Sequence, residues 1–253
     1  MDYQVSVVGG GISGALAALY LGQSRVKTCL IDRGKPSQRL SNPYIGKTTS
    51  LNLSSIASLR DVGIWEDIKK NAQEFNEIYV WDAEGSSSVQ FKAEEISRND
   101  LGVIVHNNII LESIYSKLEQ ISEVTLIEEE SLKEISQDQN KIELTSDSGL
   151  RIASELLIGA DGSLSKVRDL SRIPIRTWSY EQLAIVSSVT TEVPLDKTAF
   201  QIFTDTGPIA LLPLMVGENV ASLIWSTDEA YGKKLLELDN DAVSYTHLTL
   251  PTI

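Results

Sequence analysis

The chain of 253 residues is long enough for one large domain or two modest ones with a real core, and its 42% hydrophobic content marks it as globular. Its 22 Lys and Arg stand against 35 Asp and Glu, and the formal net charge of -13 argues against a nucleic-acid phosphate backbone as partner. Two His and one Cys leave little for a His/Cys metal centre, a disulfide framework or a Ser-His-Asp relay, so a bound cofactor is the natural source of chemistry.

Residues 4–8 read as a short buried strand, glycines follow at once, and Ile12–Gln23 has the Ala/Leu composition of a helix. Residues 26–31 form a second apolar strand, and strand, Gly-rich turn, helix and strand together make a βαβ unit with a parallel sheet. A helix is expected over 50–64, a hairpin from strands at 78–82 and 89–92, and another helix over 109–118. Further strands are expected at Val124–Ile127, 142–145 and 156–158. After Arg176 the texture turns β-rich, with strands at 183–191, 199–203, 209–214 and 220–225, which points to a second, antiparallel layer. No basic n-region precedes the first strand, and the longest apolar run, 209–216, contains Pro213 and is too short to span a bilayer. The expected location is cytoplasmic, with a peripheral contact at the inner face of a membrane left open.

Residues 243–252, VSYTHLTLPT, can be read from a run of codons that resembles a transposon adapter used in DNA library preparation. The expectation is a non-native tail over 243–253, with the native reading stopping near Ala242 and His247 set aside.

The turn Gly9-Gly10-Gly11-Ile12-Ser13-Gly14 fits G-x-G-x-x-G. Gly9 permits the tight turn, Gly11 lets a pyrophosphate approach the backbone, and Gly14 lets the helix pack close to the strand, while the helix N-terminus favours the phosphate charge. Asp32 ends the second strand at a spacing that suits an acceptor for both ribose hydroxyls. This unit indicates an adenine dinucleotide without separating FAD from NAD. Asp32 is followed directly by Arg33.

A second motif, Gly159-Ala160-Asp161-Gly162-Ser163-Leu164-Ser165-Lys166-Val167-Arg168, follows the strand at 156–158 and opens another helix. It resembles the GADG-x-x-S-x-VR segment of the flavoprotein aromatic hydroxylases. Other segments are similar to the ubiquinone-biosynthesis hydroxylases among them. Residues 47–65 resemble R-x-x-AL-x-x-x-S followed by LG-x-W, Val80-Trp81-Asp82 with Gly85 resembles VWD-x-x-G, and residues 101–107 resemble LG-x-IVEN. Residues 207–214, GPIALLPL, and Ser222-Leu223-Ile224-Trp225-Ser226 resemble GP-x-A-x-LPL and S-x-VWS. The likeness runs from about Tyr3 to Leu238.

The resemblance implies an α/β fold in which a Rossmann-like parallel sheet binds FAD and an antiparallel β layer faces the substrate. The expected division is an FAD-binding domain over 1–175, with 75–97 a hairpin joining the substrate layer, and an incomplete substrate-side β domain over 176–242. It implies Asp161 and Gly162 near the flavin pyrophosphate and ribityl chain, with Lys47 and Asn108 in reach of the flavin. Lys47 stands where the family usually has Arg, which keeps the charge and loses the planar fork. His106 stands where the family often has Glu and reads as a half-exposed residue at a helix start, and Asn107 or Asn108 suits the N-cap. Cys29 reads as core. Trp65, Trp81, Trp178 and Trp225 suit packing or a substrate cavity, and the run at 128–130 reads as a solvated turn.

The activity implied is a monooxygenase: NADPH or NADH reduces the flavin, and one atom of dioxygen enters an electron-rich ring, here a polyprenylated phenol. No catalytic side chain and no metal ligand is assigned. The rivals are a related flavin oxidase or dehydrogenase and a non-catalytic FAD-binding fragment. The family's second Gly-Asp motif, GDAAH, does not occur, which fits a C-terminally truncated chain.

Overall fold

A computed structural model describes residues 2–35, 46–217 and 219–238. The tail expected at 243–253 and its boundary near residue 242 lie outside the described residues. The chain divides into two compact units: one holds the described residues up to Ala72 with Val105–Arg176, the other Gln73–Ile104 with the described residues from Thr177 on.

The first unit opens with β1 (Asp2–Val8), α1 (Ile12–Gln23) and β2 (Thr28–Ile31). Next come β3 (Thr48–Leu51) and the helices α2 (Leu53–Asp61) and α3 (Trp65–Lys69). A strand at 48–51 replaces the start of the helix expected over 50–64. Thr48 and Thr49 are β-branched and favour extended backbone, and Asn52 caps α2 by accepting from the Ser55 N–H at 2.9 Å.

In the second unit β4 (Gln73–Phe75), β5 (Glu77–Asp82) and β6 (Ser88–Lys92) lead into β7 (Gly102–His106), which carries the chain back to the first unit. There α4 (Asn107–Leu118), β8 (Val124–Ile127), β9 (Leu132–Gln137), β10 (Ile142–Ser146), β11 (Arg151–Gly159) and α5 (Lys166–Leu170) complete the fold. The six-stranded sheet runs β8-β2-β1-β11-β10-β9. From β8 to β11 neighbours are parallel, and β10 and β9 add antiparallel pairs. All four residues of β2 are buried, as a strand flanked on both sides requires. Tyr3, Val8, Cys29, Ile31, Leu132, Leu144, Ile152 and Val167 form its core. The Cys29 thiol lies 3.2 Å from Ser6 Oγ, and burial pushes its pKa up, so it is packing material rather than a nucleophile.

The second unit continues through β12 (Gln182–Thr190), β13 (Thr198–Thr204), β14 (Gly207–Pro213), β15 (Val220–Asp228) and α6 (Glu229–Glu237). Its sheet order is β12-β15-β14-β13-β5-β6. Neighbours are antiparallel except β13 and β5, which run parallel. The layer is therefore not wholly antiparallel: the β5–β6 hairpin comes from an earlier part of the chain and joins the edge of a sheet built from later strands. Ile202, Ile209, Leu223, Trp225 and Leu235 form the core of this unit.

Close backbone packing depends on α1. Its buried residues are Gly14, Ala15, Ala18, Leu19 and Gly22, small side chains interrupted by one large one. A Cβ on Gly14 would collide with the Gly9 carbonyl and stand 3.0 Å from Ala160 Cβ. The substitution Gly14→Ala is therefore expected to lower the unfolding free energy by about 1–3 kcal/mol or more, through overpacking at a site with no room to relax. Urea unfolding measures this, and an unchanged midpoint would contradict the close helix-strand contact.

Candidate functional site

Where β1 ends, Gly9 adopts φ +107 and donates its N–H to the Ile31 carbonyl at 2.8 Å. A side chain there would run into the Ala160 carbonyl, because the turn after β11 crosses directly against it, and Ala160 N–H donates to Val8 O at 2.7 Å. Gly11 occupies the N-cap of α1. No side chain caps this helix, and its first turn carries no acid. A Cβ on Gly11 would meet nothing within 4 Å, so the helix N-terminus is open on that side. An open N-terminus with its partial positive charge suits a phosphate.

Asp32 follows β2 and is buried, with 8% of its surface exposed. Both carboxylate oxygens accept backbone N–H groups: Oδ2 from Gly10 and Oδ1 from Gly34, the latter at 2.7 Å. From α4, Tyr115 donates its hydroxyl to the Gly10 carbonyl at 2.9 Å. A Cβ at Gly10 would collide with that hydroxyl and press on the Asp32 carboxylate. The middle glycine of the triplet, on a variable position of G-x-G-x-x-G, thus lets the Tyr115 hydroxyl and the Asp32 carboxylate approach the turn.

The second turn supplies Asp161 and Gly162. Gly162 has φ +85, which a side chain would strain. Asp161 accepts from the Ser165 hydroxyl and from the Val167 N–H at 3.2 Å, and Ser165 caps α5 by accepting from the Arg168 N–H at 3.1 Å. The Arg168 guanidinium donates to Ser163 O at 3.0 Å. Most of the decapeptide is therefore occupied in building its own strand-to-helix turn.

The two turns share a cleft of about 390 Å³ lined by Gly9, Gly11, Asp32, Arg33, Asp161 and Gly162. It also takes in Leu111, residues 130–132, Leu164 and Lys166. Glu130, expected to belong to a solvated turn, lines this cleft, and hydroxyls of Ser146 and Ser148 hold its carboxyl below the usual range. Three expected residues lie elsewhere. Gly14 sits in the helix-strand contact, Lys47 is exposed and accepts the Asn107 N–H at 2.9 Å through its carbonyl, and Asn108 is half-buried in the first turn of α4. Tyr115, Gly10 and Glu130 were not singled out by sequence, since a partner 105 positions away leaves no local signal.

His106 is buried rather than half-exposed, with 2% of its surface accessible, and it occupies the N-cap of α4 without a side-chain cap bond. Neither asparagine takes the cap, and Asn107 instead accepts from the Thr49 hydroxyl. Trp65 and Trp225 are buried, Trp81 is half-buried and Trp178 is exposed. Among the described residues no group of His, Cys, Asp and Glu side chains could hold a metal, and no helix is long and apolar enough to cross a membrane.

Burial lowers the His106 pKa from its ordinary value of 6.5. The unfolded chain then binds the proton first, so the neutral imidazole contributes stability that is present above 6.5 and lost as pH falls through the lowered folded value. Between about pH 8 and about pH 5.5 the melting temperature of His106→Gln should fall less than that of the parent. Parallel curves for the two proteins would remove His106 from the acid response.

A family described as FAD binding domain matches residues 2–242. The ubiquinone biosynthesis monooxygenase COQ6 of Dictyostelium discoideum is 31% identical over 95% of this chain and 55% of its own length, and the human protein of that name 30% identical over 94% and 54%. The 3-demethoxyubiquinol 3-hydroxylase of Escherichia coli K12 is 29% identical over 93% of this chain and 60% of its own. The chain thus spans little more than half the length of these curated relatives. Among solved structures, PqsL of Pseudomonas aeruginosa, described as a probable FAD-dependent monooxygenase, superimposes with a TM-score of 0.80 at 16% identity, covering 94% of this chain and 64% of that one. The p-nitrophenol 4-monooxygenase PnpA of Pseudomonas putida gives 0.78 at 17% identity, covering 96% and 62%. At these identities the two structures show the Rossmann-like α/β fold alone. With an open helix N-terminus, a buried acid after β2 and a match across nearly its whole length, the chain belongs to the FAD binding domain family.

Proposed function

We infer that the whole protein is an FAD-dependent monooxygenase that hydroxylates an aromatic ring, a polyprenylated phenol of ubiquinone biosynthesis, with NADPH or NADH as transient reductant. The observation that carries this reading is the joint one: relatives named for ubiquinone biosynthesis match over more than nine-tenths of the chain, and the two glycine turns share one cleft with the buried Asp32 and the open N-terminus of α1, the parts that suit the adenosine end of FAD. When bound, FAD supplies electron transfer and activation of dioxygen.

The chain's own groups bind and orient. The Asp32 carboxylate would accept from the ribose hydroxyls of the adenosine end, while Gly11 and the α1 N-terminus would receive the pyrophosphate. Arg33 adds a cation to the cleft lining, and Asp161 with Gly162, also in the lining, is assigned to the ribityl side by the resemblance of its motif. Because Asp161 also holds its own turn, its loss would disturb α5 as well as the cofactor. Lys47 and Asn108 are assigned to the flavin end on resemblance alone. The first unit is the cofactor side, and the sheet of the second unit is the substrate side. A polyprenyl substrate places the protein at the aqueous face of a bilayer.

The activity is tested with the whole protein, NADPH, isotopically labelled dioxygen and a polyprenyl phenol: label in the ring is expected, and NADPH oxidation without labelled product would favour an oxidase. The binding assignment is tested by a pair of variants. Gly11→Ala should keep its melting temperature close to that of the parent, since its Cβ meets open space, yet weaken FAD binding by filling the phosphate approach. Asp32→Ala should weaken FAD by roughly 1.5–3 kcal/mol for each charge-assisted hydrogen bond lost. FAD titrations that match the parent for both variants would contradict the assignment.

A further inference from the structure

Tyr115 comes from α4, far from the glycine turn in sequence, yet its hydroxyl is buried against that turn and donates to the Gly10 carbonyl at 2.9 Å. The N–H of the same residue, Gly10, donates to Asp32 Oδ2, and Gly34 N–H holds Oδ1 at 2.7 Å. Gly10 is therefore gripped from both sides: its carbonyl by a phenol, its amide by the carboxylate. Both grips fix the rotation of one residue, and a glycine has the widest backbone freedom of any residue. Without the phenol, the Gly10 carbonyl would lose a buried donor, and the amide that meets Asp32 Oδ2 would be held less firmly.

We propose that Tyr115 is a positioning residue for ribose recognition: its hydroxyl sets the orientation of Gly10, and through Gly10 the orientation of the Asp32 carboxylate toward a ribose diol. The inference rests on the reading of Asp32 as the ribose acceptor. Tyr115 touches neither the reacting atoms nor the ring chemistry, so its effect is confined to recognition at the adenosine end.

A general loosening of the fold would weaken every ligand alike, whereas misalignment of Asp32 would erase the preference for an intact ribose. The probes are ADP and 2′-deoxy-ADP, titrated by calorimetry into the parent chain and into Tyr115→Phe, which keeps the ring and removes only the hydroxyl. The parent should prefer ADP by about tenfold, the scale of one good hydrogen bond to a charged acceptor, and Tyr115→Phe should reduce that ratio to about threefold or less. Melting temperatures of both proteins, recorded without ligand, monitor the fold. A parent that binds the two nucleotides equally would overturn the ribose reading and this proposal with it. A parent that discriminates beside a Tyr115→Phe variant that discriminates as strongly would overturn the role of Tyr115 alone.

Discussion

A buried carboxylate that takes one backbone N–H on each oxygen organises the glycine turn of the first unit. Asp32 stands at the end of β2, and its bonds reach back to Gly10 in the turn after β1 and forward to Gly34. The two backbone bonds fix the side chain in one orientation at the mouth of the cleft. Leaving buried donors unsatisfied would cost about 1–3 kcal/mol each, so the acid stabilises the turn that lines the cleft. The glycines follow from this crowding. Gly9 must clear the Ala160 carbonyl and Gly14 the Gly9 carbonyl, Gly10 leaves room for the Tyr115 and Asp32 side chains, and Gly11, among the four glycines of this turn, faces open space.

The division of labour agrees with the composition. A chain with two His and one Cys has few side chains suited to catalysis, and among the described residues its Cys is sealed against Ser6 and its His106 is buried at a helix start. What the first unit offers is placement: a parallel sheet whose strand ends bring the two glycine turns together, the arrangement in which open α/β sheets bind their ligands. The second unit offers a six-stranded sheet with a core of its own.

Much of this is legible in the sequence. The βαβ start could be read because its strands are continuous apolar runs and its glycines punctuate them, and α1 and β8 have the bounds that composition indicates. Misreadings arose where local preference was subtle. Thr48 and Thr49 turned an expected helix start into β3, and β9, with Lys133 and Glu134 exposed, carried too little apolar signal to be noticed. Parallel pairing of β13 with β5 could not be foreseen, since periodicity does not encode which distant strand a segment joins. His106 lies at the end of a fully buried strand that periodicity did not pick out, which hid its burial. The second motif was recognised through resemblance. Its chemistry in the structure is first of all a capped turn, with Asp161 and Ser165 holding α5, and that dual use is invisible in a sequence pattern.

The central claim is that the cleft beside Asp32 reads the adenosine end of FAD. The most direct test is an equilibrium titration of the chain with FAD, followed by flavin fluorescence, in the presence of ADP or of FMN as competitor. ADP carries the ribose and phosphates that Asp32 and the α1 N-terminus recognise, while FMN carries only the flavin half. Displacement of FAD by ADP with little effect of FMN is the result the account predicts. Displacement by FMN with no effect of ADP would contradict it.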